Sequence, residues 1–184
     1  MPANGQRVRE KGDPMTSSAN IKSTNAGPDR HVIGLVSDTH GDMKAGVHAA
    51  FVGVELILHA GDVGGIAILD ELRMIAPVKA VHGNVDPDDD PQLPPAVTLE
   101  IGGLMIHVSH GNELGSPTPA KLLAVYAADV IVYGHTHRAL VMRNGSRLVV
   151  NPGAAGPPRF NLRPSVGVLT IVEGEAEVEI IEIE

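Results

Sequence analysis

The chain has 184 residues, 43% of them hydrophobic, which is enough for one domain with a substantial core. Only 2% are aromatic and none is Trp, so the core must be built from Val, Ile, Leu and Ala, and the stacking platforms that bind single-stranded nucleic acid are missing. A formal net charge of -8 argues against DNA or RNA as partners, and the absence of Cys excludes disulfides and thiolate metal sites.

Residues 1–30 are rich in Ser, Asn, Gly, Pro and charge and lack periodicity, which predicts a disordered leader, with Met15 as an alternative start. The domain is expected over residues 31–184. No segment has the make-up of a secretory signal or the length of a membrane span, so a cytoplasmic protein with no membrane partner is expected. The apolar run Val32 to Val36 predicts a buried strand that ends in Ser37-Asp38-Thr39-His40-Gly41. Residues 43–52 have helical spacing, and Leu56-Ile57-Leu58 predicts a second strand stopping at His59-Ala60-Gly61-Asp62. Ile66 to Ile75 suits an amphipathic helix, and Val78 to Val81 leads into His82-Gly83-Asn84-Val85-Asp86. This rhythm predicts β-α-β units in a mostly parallel sheet.

The Pro- and Asp-rich stretch Pro87 to Pro95 reads as a surface loop. Val97–Ile101 and Leu104–Val108 predict a hairpin around Gly102-Gly103, whose second strand delivers Ser109-His110-Gly111. A helix is expected over Thr118 to Ala127, then a strand, Val130 to Val132, running into Tyr133-Gly134-His135-Thr136-His137. The remainder alternates in short strands, ending with the period-two stretch Glu175 to Glu184.

One event therefore occurs five times: an apolar strand ends, a glycine stands close by, and a ligand-type side chain appears. The residues are Asp38 and His40, Asp62, Asn84, His110, and His135 with His137. In open α/β sheets the carboxyl ends of strands converge on one crevice, so these seven side chains are expected to meet. A mixture of carboxylate, amide oxygen and imidazole suits Mn²⁺, Zn²⁺, Fe, Ni²⁺ or Co²⁺. Seven ligands exceed one ion and suit two, bridged by a carboxylate.

Taken together, Asp38-Thr39-His40, Gly61-Asp62, Gly83-Asn84-Val85-Asp86, Ser109-His110-Gly111 and Gly134-His135-Thr136-His137 resemble the calcineurin-like metallophosphoesterases, most of all their small prokaryotic phosphodiesterase branch. The resemblance covers about residues 31–184. It implies two facing mixed β-sheets flanked by helices, a four-layer α/β sandwich, with the metals at the strand ends. By position it implies that Asp38, His40 and His137 hold one metal and Asn84, His110 and His135 the other, with Asp62 bridging. Mn²⁺ is the ion it favours, and Asp62, Asn84 and His110 are the expected catalytic residues. A bridging hydroxide would attack the phosphorus of a small phosphodiester, or of a monoester.

Where larger members place a His after the motif Asn, this chain has Val85, which removes a general acid and favours activated or diester leaving groups. Asn112 stands where relatives often carry another His, and it and Arg159, in a segment resembling the closing motif of the family, are the expected contacts to the substrate phosphate. His59, His82 and His107 are expected to orient ligands or to pack, Asp42 to cap the following helix, and Asp86 to bind loop backbone. The alternative function is a metal-binding interaction scaffold, since the small subunit of the retromer coat resembles the same fold. A homodimer or higher homo-oligomer is compatible with either function.

Overall fold

The computed structural model describes Met1 and residues 29–159 and 161–184, so nearly all of the expected leader, with Met15, lies outside the described residues. In chain order the elements are β1 (Arg30–Val36), α1 (Gly46–Ala50), β2 (Leu56–His59), α2 (Ile66–Arg73), β3 (Val78–Ala80), β4 (Ala96–Ile101), β5 (Leu104–Ser109), a 3-10 turn (Asn112–Leu114), α3 (Pro119–Val125), β6 (Val130–Val132), β7 (Leu140–Asn144), β8 (Arg147–Asn151), β9 (Ser165–Val172) and β10 (Glu175–Glu182).

The strands form two five-stranded sheets, ordered β10-β9-β1-β2-β3 and β4-β5-β6-β8-β7. In the first, β1, β2 and β3 pair in parallel, as the β-α-β rhythm predicts, while β9 and β10 add antiparallel strands. In the second, β5, β6 and β8 are parallel and the two outer strands antiparallel, so both sheets are mixed.

Successive side chains of a strand point to opposite faces, and this alternation builds the layers. Ile33 and Leu35 of β1, Leu58 of β2, and Val130, Val132, Leu148 and Val150 of β6 and β8 meet between the sheets. Val36 and Ile57 face the other way, onto Val47, Phe51, Ile68 and Leu72 of the α1–α2 layer. Ile131 and Val149 turn to Leu122 of α3. The result is the expected four-layer sandwich.

Gly102 and Gly103, at φ 56° and 79°, close the predicted β4–β5 hairpin in two residues between Ile101 and Leu104, because only a left-handed pair matches the twist of the flanking strands. The helix expected over 43–52 is confined to α1, and the residues before it are anchored to the rest of the fold, Lys44 N–H donating to the Ala155 carbonyl and Gly46 N–H to that of Glu184. Asp42 does not cap it: Ala45 occupies the N-cap and no side-chain bond is made there. No helix among the described residues is long and apolar enough to cross a membrane.

Phe51 is the largest fully buried side chain among the described residues, whereas Met74 is 77% exposed. Phe51→Ala should cost about 3–5 kcal/mol in urea-induced unfolding, and Met74→Ala should stay within about 0.5 kcal/mol of the native protein.

Candidate metal centre

The strand register assembles the site. Because Val36 pairs with His59 across the parallel β1 and β2, the segments that follow leave the sheet side by side. Their pairing continues past the strands: Asp38 N–H donates to Gly61 O (3.0 Å), His40 N–H to Asp62 O (2.9 Å) and Gly41 N–H to Val63 O (2.9 Å). Pairing of Val108 with Val132 likewise sets the end of β5 beside that of β6, where Gly134 N–H donates to the His110 carbonyl. Gly134 is needed there, since a Cβ on it would collide with Ser37 Oγ and stand 2.9 Å from Asp38 Oδ2.

Asp38, His40, Asp62 and His137 offer donor atoms that all lie within 4.8 Å of one another, a group that could hold a metal ion. His137 Nε2 lies 3.2 Å from Asp38 Oδ1 and 3.3 Å from His40 Nε2. The Asp62 carboxylate has one oxygen on each side: Oδ2 is 3.7 Å from His40 Nε2, and Oδ1 is 3.4 Å from His110 Nε2. Beyond His110, the His135 ring stands edge-on with ring centroids 5.2 Å apart, and its Nδ1 is 3.0 Å from Asn84 Oδ1. All seven sequence-predicted ligands thus share one end of the sandwich, arranged about Asp62.

Asp38 Oδ1 and His110 Nε2 are buried and make no well-formed hydrogen bond, their nearest polar neighbours being His137 Nε2 at 3.2 Å and Asp62 Oδ1 at 3.4 Å. Buried polar atoms rarely stay unsatisfied, and here they belong to a carboxylate and an imidazole, so the residues fit a divalent cation. Five of the seven, Asp38, His40, Asp62, His135 and His137, have positive φ between 50° and 68°. Such conformations are disfavoured for side chains with a Cβ and gather where function demands them.

Burial alone would raise the Asp62 carboxyl, but the close approach and charge of the His110 imidazole and the Val85 N–H overrule it and hold it at about 2. Burial works against the charged form of His110 too, yet Asp62, Asp38 and the Ala60 carbonyl raise its pKa. His40 is lowered by burial first and by the charge of the Arg159 guanidinium second. The Asn112 side chain makes no hydrogen bond among the described residues; its backbone opens the 3-10 turn.

Several supports lie behind these donors. Asp86 accepts from Val63 N–H (3.0 Å), Gly64 N–H (2.8 Å) and Gly83 N–H (2.9 Å), joining the loops after β2 and β3. His59, fully buried, hydrogen-bonds Thr39 Oγ1 at 2.9 Å, and burial pushes its pKa down to about 4. His82 lies half-buried beside the Gly83 carbonyl. His107 takes no part in the centre, because it bonds Thr98 and stacks on Tyr126 at 3.9 Å.

Asn151, which the sequence motifs do not single out, also belongs to the supports of the centre. This fully buried side chain donates from Nδ2 to Gly134 O (2.8 Å) and Thr136 Oγ1 (3.1 Å) and accepts from Gly153 N–H, holding the loop that carries His135 and His137. Its place at the end of the apolar run Leu148-Val149-Val150 was the available signal, since the other site residues also follow such runs. Ser37, whose Oγ donates to Asp38 Oδ2 at 2.5 Å, was overlooked as well.

Crowded carboxylates and imidazoles at the carboxyl ends of strands in a four-layer α/β sandwich define a metallophosphoesterase-type centre. The profile of the calcineurin-like phosphoesterase superfamily domain matches residues 32–174, and the chain belongs to that superfamily. A probable metallophosphoesterase of Methanothermobacter thermautotrophicus is 36% identical over 158 residues, covering 82% of this chain and 91% of its own. A phosphodiesterase of Methanocaldococcus jannaschii is 26% identical, covering 82% of this chain and 99% of its own. Among solved structures, vacuolar protein sorting 29 from Cryptosporidium parvum shares the fold with a TM-score of 0.70 and 22% identity, over 84% of this chain and 98% of that one. A novel archaeal phosphodiesterase gives a TM-score of 0.60 and 23% identity, over 82% of this chain and 99% of its own.

Two outcomes follow. Asp86→Ala should cost about 2–4 kcal/mol of unfolding free energy, because three amide donors lose a charged acceptor, and should weaken metal uptake measured by calorimetry. For His59 the folded pKa of about 4 lies below the ordinary 6.5. The unfolded chain therefore binds the extra proton between these values, so stability should fall as pH drops from 6.5 to 4. Comparing unfolding curves of native protein and His59→Gln across that window should isolate a difference on the order of 3 kcal/mol.

Proposed function

We propose that this chain is a metal-dependent phosphodiesterase acting on small phosphate diesters, with some turnover of monoesters. The observation that carries this reading is the position of Asp62, with Oδ2 facing His40 and Oδ1 facing His110. On this reading Asp38, His40 and His137 hold one ion, Asn84, His110 and His135 a second, and Asp62 both. Two bound divalent ions would supply Lewis acidity, lowering the pKa of water and neutralising charge that develops on the phosphoryl group. Mn²⁺ is the proposed ion. Zn²⁺ suits the same donors, and a fold neighbour, vacuolar protein sorting 29 of Entamoeba histolytica, has been crystallised in complex with zinc.

The protein's own groups have separate tasks. Val85 N–H donates to Asp62 Oδ1 at 3.1 Å and orients that carboxylate, while its half-exposed side chain offers no proton to a leaving group. Esters that leave without protonation are therefore preferred. Arg159, close enough to depress the His40 pKa, and Asn112 are proposed to hold the phosphate oxygens. The relatives described as phosphodiesterases support the reaction class. The likeness to vacuolar protein sorting 29 is one of fold, and a scaffold has no need to keep every ligand-type residue, so the presence of all seven in this chain favours catalysis over a scaffold role.

Chelator-stripped protein should be inert toward bis-p-nitrophenyl phosphate and gain activity on addition of Mn²⁺. Asp62→Asn should lower that activity at least about 100-fold. A protein that binds two ions yet hydrolyses neither this diester nor the corresponding monoester with any of the candidate metals would end the catalytic reading.

A further inference from the structure

The two sheets each present an edge strand on the same flank of the sandwich, β7 in one and β10 in the other. At one end of this flank the edges are tied, because Arg143 of β7 donates to the Ala176 carbonyl of β10 at 2.6 Å. At the opposite end, where β7 starts at Leu140 and β10 finishes, they part around a cleft of about 470 Å³. That volume lies within the usual range for small-molecule sites. One end of the cleft is His137, a member of the metal group, so a molecule with its phosphate at the metals would extend along it.

The lining has two parts. Leu140, Leu162 and Ile180 give apolar walls, and Arg138, Arg163 and Glu182 give charge. Arg163 and Glu182 pair at 2.8 Å and largely neutralise one another. The Arg138 guanidinium has no hydrogen-bond or ion-pair partner among the described residues. On a chain of formal net charge -8, an unpaired guanidinium beside a ligand-sized cleft next to a phosphate-type centre is a local reversal of sign.

We propose, on the basis of the phosphodiesterase reading above, that this cleft is a specificity subsite for the part of the substrate beyond the scissile phosphate. The group it selects has a short apolar stem ending in a second anion, a carboxylate or a phosphate. The stem lies against Leu140, Leu162 and Ile180, and Arg138 binds the anion through its planar fork of N–H donors. Arg138 is a specificity residue here and takes no part in the chemical step.

The test uses the Mn²⁺-loaded full-length protein and p-nitrophenyl phosphate diesters whose second ester is pentyl, 4-carboxybutyl or 4-phosphonobutyl. For an exposed guanidinium, the anionic esters should be favoured over pentyl by about three- to tenfold in kcat/KM, through KM. That ratio should fall to about one in Arg138→Gln and be partly kept in Arg138→Lys. The carboxylate and phosphonate arms show which anion is preferred. Calorimetric titration with pentylphosphonate and 4-carboxybutylphosphonate, whose C–P bond is not hydrolysed, gives the same comparison without turnover. Equal affinities in the native protein, or a preference that survives in Arg138→Gln, would overturn the subsite. An Arg138-dependent preference in binding, in a protein that hydrolyses none of the diesters, would keep the subsite and remove the phosphodiesterase reading instead.

Discussion

The pairing of β1 with β2 does not stop where the strands stop, and the site depends on that continuation. Three further amide bonds, from Asp38, His40 and Gly41 to Gly61, Asp62 and Val63, carry the two chains past the sheet edge. A third segment joins them when Ala155 N–H donates to the Ser37 carbonyl and Gly156 N–H to that of Asp38. Held in this way, Asp38, His40 and Asp62 adopt left-handed backbone, and so do His135 and His137 in the loop after β6 that Asn151 steadies, five ligand-type residues in all. At about 1–2 kcal/mol each, that conformation costs on the order of 5–10 kcal/mol in all, comparable to the whole net stability of a domain. The strain persists because the loops are over-determined by hydrogen bonds and by the four-layer core beneath them.

Electrostatics adds a second cost in the same place. Asp38 and Asp62 are buried within a few ångströms of His40, His110 and His137, and two donor atoms face inward without a hydrogen bond. A chain that sought only stability would replace such a cluster with apolar residues. A cation satisfies it differently, by giving each lone pair a partner, so metal affinity becomes part of the folding free energy. Strain, burial and unsatisfied donors thus coincide on the same residues, and a divalent cation answers the last two together.

The parts of this design that lie along one strand were legible in the sequence. Runs such as Val32 to Val36 and Val130 to Val132 announce strands by composition, and the ligand-type residues stand immediately beyond them, so their meeting required only the rule that parallel strands end together. Parts that depend on which strands become neighbours were not legible. The ligands of the His135–His137 loop are steadied by Asn151, whose partners Gly134 and Thr136 are distant in sequence and adjacent only after β6 pairs with β8. Helical spacing over 43–52 was misleading for the same reason, because the chain around Lys44 and Gly46 is anchored to Ala155 and Glu184, partners that only the fold supplies. Arg138 follows a motif histidine, yet nothing in the sequence places the end of β10 opposite it.

Edge strands ordinarily invite further strands, and the flank that holds the cleft has one edge from each sheet. Along β10, Glu175, Glu177 and Glu179 are exposed and alternate with the inward-facing Ala176 and the half-buried Val178. A row of like charges beside open backbone groups resists pairing with another copy of the same strand. It also discourages anions from settling along the middle of that edge. The one unpaired guanidinium of the cleft then stands near the metal centre, at the end of an edge that is otherwise acidic. The acidic row that protects the edge thus sharpens the contrast by which an anionic substrate group would find Arg138.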